Sequence, residues 1–459
     1  MMGGARREGH GPAGAPPAGV GEYQRSRRQQ RRAVGRGAMV GAVAGLVCVA
    51  FRWLLERGEM VRTQGLEWLR EEGLEWMWVP VIVTAASGGV AAWLVQRYAP
   101  EAGGSGIPQI KRVLAQMHPM RPVRIMLVKF FGGALAIVSG FALGREGPSV
   151  QLGGASGELL ARAFHGHQYE RKTLIIAGAS AGLSAAFNAP FAGVVFAVEE
   201  LRGELSGPIF AAVCAAAVAA TAISRLMMGA AAVYAPGALG TPDVGLLPVF
   251  VLVGIGAGFG GVLFIKAVLA GVRFGGHIGR QRLAVRGVLA GAVTGLVAWW
   301  WPEIVGGGQH LANTLLHTAP VWWMIAAIFA ARFVLTVVCY GSGVPGGIFA
   351  PMLLLGLLVG ELTASAIAQL PWVPQADMRV CGLCGMGAYF TAVTRAPLTG
   401  IVLIIEMSGY YGIMPALLTA VLAAYMVAEL LQATPIYEAL GHYAARAAGS
   451  GNNECALRV

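Results

Sequence analysis

A carboxylate, Glu146, stands in the stretch Gly144-Arg145-Glu146-Gly147-Pro148, with apolar runs before it (125–141) and after it (174–186). Those flanks place the segment at membrane depth, where a carboxylate is costly to ionise and marks a functional position. Pro148 suits the first turn of a helix, and the glycines leave backbone N–H groups open toward the loop. The pattern is that of an anion site at a helix N-terminus with a titratable group beside it. Gly104-Ser105-Gly106-Ile107-Pro108 precedes a short helical stretch and offers a serine hydroxyl with flanking N–H groups. The segment from Gly343 to Pro351 offers further backbone N–H groups, and Tyr437 a phenolic hydroxyl at a helix start. Three helix N-termini converging on one point would make a positive site without a fixed cation, so that an anion binds and can still leave.

The elements that must position these groups are membrane helices. Of 459 residues, 56% are hydrophobic and 12% charged, against about 25% charged in soluble domains. The 67 glycines are roughly twice the usual share and allow close helix approach. Several apolar stretches, such as 190–201 and 396–408, are shorter than the ~20 residues a full span needs. Short helices interrupted by Gly and Pro end inside the protein and line a polar cavity. No strands are expected, because no run alternates.

An internal repeat organises the chain. Gly144, Pro148, Leu152, Gly153, Gly157, Glu158 and Leu159 align without gaps with Gly347, Pro351, Leu355, Gly356, Gly360, Glu361 and Leu362. Ala189-Pro190 through Glu199 aligns with Ala396-Pro397 through Glu406. Two related halves follow, 39–233 and 245–447, joined by a Gly/Pro-rich loop at 234–244. The alignment alone leaves open whether the halves are parallel or inverted.

The basic surplus gathers at Arg6, Arg7, Arg25, Arg27, Arg28, Arg31, Arg32 and Arg36, before the first apolar run. Beside a membrane span this reads as the positive-inside rule, not nucleic-acid binding, and places the N-terminus in the cytoplasm. Residues 1–38 are expected to form a disordered arm, and 448–459 a short tail. Cys381 and Cys384 form a lone C-x-x-C without a second pair and read as packing residues. His165, His167 and Glu170 lie in a polar loop and are not read as metal ligands. Glu158 and Glu361 are expected to satisfy helix contacts.

Taken together, the motifs resemble the CLC family of chloride channels and chloride/proton exchangers. GSGIP (104–108), GREGPSVQ (144–151) and GGIFAP (346–351) are that family's three loops, in order, and LVKFFGG (127–133), AFNAP (186–190) and RAPLTG (395–400) are similar to family segments. The resemblance covers about 39–447 and implies an all-α polytopic membrane protein of two inverted repeats of broken and tilted helices. It also implies a homodimer in a lipid bilayer, here a bacterial inner membrane, with one pore per subunit and no cofactor.

The resemblance further implies that Ser105 and Tyr437 give hydroxyls to chloride, with the Gly106 loop and the N–H groups of Ile348 and Phe349 completing the site. Glu146 would be the external gate, with Arg145 adding positive potential at the outer mouth and Lys129 either doing the same or snorkelling at a helix end. Glu200 matches the internal proton glutamate of the exchangers, with Glu199 keeping water near it. Read from residues alone, both are acids at a helix end, with Arg202 as a surface partner. The repeat separates them, since Glu199 has a counterpart in Glu406 whereas Glu200 faces Met407. The expected activity is chloride/proton exchange by a transporter, with a passive channel of the same family as the alternative. No nucleophile and base pair or metal cluster shares a segment, which argues against an enzyme.

Overall fold

The computed structural model describes residues 18–115, 119–202, 206–277, 279, 282–318, 320–369 and 376–449. Arg6, Arg7, Cys455 and the outer parts of the arm and tail lie outside these residues. Among the described residues no strand occurs, and two isolated β-bridges are the extended pairings. The first half contains α1 (Ala18–Glu72), α2 (Trp78–Tyr98), α3 (Ile107–Leu114), α4 (Pro122–Val138), α5 (Glu146–Ala163), α6 (Gln168–Phe187), α7 (Pro190–Phe196) and α8 (Gly207–Met228). The second contains α9 (Leu247–His277), α10 (Leu283–Trp300), α11 (Gln309–Leu315), α12 (Trp322–Gly341), α13 (Phe349–Ile367), α14 (Met378–Thr394), α15 (Pro397–Ser408) and α16 (Met414–Leu430). A final helix, α17 (Ile436–Gly449), has no mate. Among the described residues, eight helical stretches are long and apolar enough to cross a membrane, so the chain is an integral multi-pass membrane protein.

The halves correspond helix for helix, α1 with α9 through to α8 with α16, and their packing corresponds too. α1 packs on α8 as α9 does on α16, α5 on α6 as α13 on α14, and α3 on α5 as α11 on α13. α2 meets its own mate α10, and α7 meets α15. Gly144 and its equivalent Gly347 pair with each other in antiparallel sense. A local twofold axis therefore runs between them, and the halves are inverted about it.

The arm differs from the expected picture. α1 is helical from Ala18, whereas the sequence reading leaves the chain without structure to about Arg36. Ala, Arg and Gln in that stretch are good helix formers, and α1 holds no proline to stop it before Gly73.

Two features let the broken helices reach the centre. α3, of eight residues, and α11, of seven, are about 12 Å and 10 Å long and cannot span a bilayer. Small residues also bring α5 onto α6 and α13 onto α14 at backbone contact. A Cβ on Gly157 would lie 2.0 Å from the carbonyl oxygen of Leu174, and one on Gly360 2.1 Å from that of Cys381. Cys381 and Cys384 are free and buried in that packing.

Candidate functional site

The three glycine-rich loops meet at the axis. The amide of Gly144 donates to the carbonyl of Gly347 at 2.7 Å, and that of Gly347 returns the bond at 2.8 Å. Likewise Gly104 donates to Val344 and Gly346 to Gly104, both at 3.1 Å. A Cβ on Gly147 would lie 2.5 Å from Ser105 Oγ and 3.1 Å from the Cα of Gly347. Residues far apart in sequence thus form one joint from which α3, α5 and α13 start.

Several polar groups at this joint are buried and unpartnered. Ser105 Oγ and Tyr437 Oη approach each other without reaching hydrogen-bond geometry, and neither has another partner. Ser105 and Tyr437 are each 1% exposed. The amides of Ile348 and Phe349 make no backbone hydrogen bond among the described residues. Ile348 and Phe349 are buried, and the Phe349 ring packs on Phe187 and Phe390 at 5.3 and 4.6 Å between centroids. Ser105 and Tyr437 thus keep buried hydroxyls without a partner, and a buried donor without an acceptor is costly.

Glu146 opens α5 and is fully buried. Its Oε1 accepts from Gln309 Nε2 at 3.1 Å, while Oε2 has no partner. A Cβ on Gly144 would lie 2.2 Å from Oε2 and 3.1 Å from the amide nitrogen of Ala350, so the carboxylate lies close to the N-terminal turn of α13. An acceptor-only group there competes with any anion for the same donors.

Two expected residues have other duties. Lys129 is fully buried, and its Nζ donates to the carbonyls of Ala102 at 2.9 Å and Gly104 at 2.5 Å. It braces the loop that carries Ser105 and neither snorkels nor faces an outer mouth. Arg145 is mostly buried, and its Nη1 bonds Glu56 of α1 at 3.1 Å, with Arg52 on the same carboxylate at 2.7 Å. Its Nε remains unpartnered, and the head group bonds Glu56 while its charge also acts on Glu146.

The two acids of the pair have different partners. After α7 the chain makes a π-helical turn, Ala197–Arg202, whose extra residue per turn separates the directions of neighbouring side chains. Glu199 Oε1 and Oε2 accept from the amides of Leu398 and Thr399, at 2.9 and 2.7 Å, and cap α15. Its equivalent Glu406 accepts from Phe191 and Ala192, at 3.1 and 2.7 Å, and caps α7. Glu199 is thus held by structure, not left free to gather water. Glu200, 6% exposed, instead meets Lys111 of α3 at 2.7 Å. The Arg202 side chain lies outside the described residues. Beside this pair is a cavity of about 480 Å³ lined by Pro108, Lys111, Arg112, Lys172, Tyr437 and Glu438 among others.

Gln309, Lys111 and Arg332 were not singled out from the sequence. The signal was present: Gly306-Gly307-Gly308-Gln309 falls 202 residues after Gly104-Ser105-Gly106-Ile107. The caps Gly106 (φ 92°) and Gly308 (φ 85°) share a left-handed conformation that glycine adopts without strain. Arg332 is the equivalent of Lys129 and is also fully buried. Its Nη1 donates to Ile304 at 2.5 Å and Gly306 at 2.9 Å, the positions equivalent to Ala102 and Gly104.

The acidic repeat position splits. Glu158 bonds Arg162 and Arg171, at 2.7 and 2.5 Å, as expected. Glu361 does not, since both its oxygens are buried without a partner. Beside His165 and His167 in sequence, Glu170 pairs with Arg36 of α1.

Residues 87–429 match the family described as voltage gated chloride channel. The H(+)/Cl(-) exchange transporter ClcA of Vibrio cholerae serotype O1 is 38% identical over 416 residues, 88% of each chain. ClcA of Vibrio vulnificus is 40% identical over 418 residues, with the same coverage. Among solved structures, a slow cyanobacterial Cl-/H+ antiporter superposes with a TM-score of 0.86 at 31% identity, covering 90% of this chain and 98% of its own. With three loops joined at the axis of inverted halves and a family match across most of its length, the chain belongs to the voltage gated chloride channel (CLC) family.

Proposed function

We propose that this protein is a secondary active transporter that exchanges chloride for protons. The observation that carries the reading is the cluster of unpartnered groups at the joint: Ser105 Oγ, Tyr437 Oη and Glu146 Oε2 are all buried without a partner. Chloride would take the Ser105 and Tyr437 hydroxyls together with the Ile348 and Phe349 amides. Ionised Glu146 would occupy neighbouring donors as a closed gate, and protonation would remove its charge and release it. Glu200 would be the internal proton acceptor, buried beside Lys111, which lines the same cavity as Tyr437. The close relatives named as exchange transporters support exchange over passive conduction.

The same reading makes the protein a homodimer with one pore per subunit, with its N-terminus in the cytoplasm of a bacterial inner membrane. The arginine-rich start of α1 supports that orientation.

The test is reconstitution in liposomes under an imposed chloride gradient. Uphill proton movement is expected for the natural protein, and chloride flux without proton movement for Glu200→Gln. Chloride flux by the natural protein with no proton movement would make it a passive channel.

A further inference from the structure

The bond between Gln309 and Glu146 joins the two halves of the repeat at the gate. Gln309 is the first residue of α11, a seven-residue helix held by Arg332 at its start and by its own Asn313. Arg332 holds the carbonyls of Ile304 and Gly306. A Cβ on Gly308 would lie 2.6 Å from Arg332 Nη2, so this guanidinium packs directly under the turn that presents Gln309. At the far side, Asn313 Nδ2 donates to Val233 at 2.8 Å, and its Oδ1 accepts from the amide of Ala235 at 3.2 Å, which pins α11 to the loop between the halves. Gln309 is therefore presented by a rigid turn and not by a mobile loop.

The repeat gives this bond its meaning. Under the local twofold, Gln309 and Glu146 correspond to Ile107 and Phe349, both apolar and fully buried. A polar donor stands at the head of the short helix in the half that faces the carboxylate, and an apolar residue stands there in the other half. The two positions differ together, which a purely structural capping residue would not require.

We infer that Gln309 is a positioning residue that holds the Glu146 carboxylate in its ionised, closed place, and that Arg332 sets Gln309 there. This rests on the gate reading above. The amide of Gln309 is neutral and cannot itself titrate, but its donated bond favours the charged form of its partner. The other groups that face Glu146 are Arg145 on its own loop, Glu59 from α1, Tyr234 from the loop between the halves and Tyr437 from α17. Arg145 is bonded to Glu56. Gln309 is the side chain bonded directly to the carboxylate from the second half, with the Ala350 amide beside it.

The experiment compares the pH dependence of chloride efflux from liposomes for the natural protein, Glu146→Gln, Gln309→Leu, Gln309→Met and Gln309→Leu with Glu146→Gln. Flux through Glu146→Gln is expected to be flat with pH. Loss of the donor in either Gln309 variant is expected to move the pH of half-maximal flux upward by about one unit, because the carboxylate then takes its proton more readily. The double variant is expected to match Glu146→Gln. If Glu146→Gln keeps the natural profile, the gate reading itself fails. If it is flat while both Gln309 variants, with natural size-exclusion elution, overlay the natural profile, the gate stands and the role of Gln309 is overturned. A double variant that differs from Glu146→Gln in pH profile would place Gln309 elsewhere and overturn it as well.

Discussion

Gly144 and Gly347, the same position in the two halves, exchange both main-chain hydrogen bonds, at 2.7 and 2.8 Å. Apart from Tyr437 on the unmated α17, the groups named beside this pair have equivalents across the axis, so function can be sought where equivalents differ. Glu146 stands against Phe349, Ser105 against Gly307, Gln309 against Ile107 and Glu200 against Met407. Lys129 with Arg332 and Glu199 with Glu406 agree in charge, make the same bonds on both sides and maintain the frame.

Gly144→Ala should open the gate without touching Glu146. The added methyl would lie 2.2 Å from Glu146 Oε2 and 3.0 Å from the Ala350 side chain, so the carboxylate has to leave. Chloride flux in liposomes should then persist at alkaline pH and vary little with pH. A natural profile would show that the carboxylate accommodates the methyl without being displaced.

Lys129 and Arg332 brace different loops, so their removal should give different defects. Lys129→Met leaves the Ala102 carbonyl without its donor, at about 1–3 kcal/mol for a buried unsatisfied group, and leaves the Gly104 carbonyl with the Gly346 amide alone. The loop that carries Ser105 loosens, and chloride affinity by calorimetry should fall by roughly tenfold, the equivalent of ~1.4 kcal/mol. Arg332→Met should chiefly change the pH profile of flux, because its loop carries Gln309. Equal loss of chloride affinity in both variants would argue for a general packing role.

Much of this site was legible in the sequence because its parts are local. Gly-rich loops before helices, a carboxylate between apolar runs and a gapless repeat are all visible in short windows. What stayed hidden depends on which loops meet. Lys129 reads as a snorkelling or mouth residue until its ammonium is seen under the Ser105 loop. Arg145 sits inside the most informative motif, yet its partner Glu56 is 89 residues away. Gln309 lies in a glycine-rich turn that looks like an ordinary cap until α11 is matched with α3. The helical arm from Ala18 was missed for another reason, since low apolar content argues for disorder while the residues themselves favour helix.

Glu199 and Glu406 cap each other's short helices, so Glu199→Ala and Glu406→Ala should cost similar stability. Loss of a helix cap is worth about 0.5–2 kcal/mol, and the melting temperature in detergent should drop comparably for the two. Neither change should alter the ratio of protons to chloride ions, whereas Glu200→Gln should. A changed ratio in Glu199→Ala, with Glu406→Ala unaffected, would return Glu199 to the proton path.

Glu158 and Glu361 occupy one repeat position and should respond to substitution with opposite sign. Glu158 is bonded by Arg162 and Arg171, both partly exposed, so Glu158→Met removes two charge-assisted bonds from a buried carboxylate. The loss should be modest, about 1–3 kcal/mol, because the arginine heads can return to water. Glu361 is 1% exposed with neither oxygen partnered, and an apolar residue of similar size removes a group whose burial is uncompensated. Glu361→Met should therefore raise the melting temperature and leave chloride flux and coupling unchanged. If it lowers both stability and coupling, the carboxylate has a duty that its surroundings do not reveal, and the agreement of the two glutamates in the repeat would reflect function on both sides of the axis.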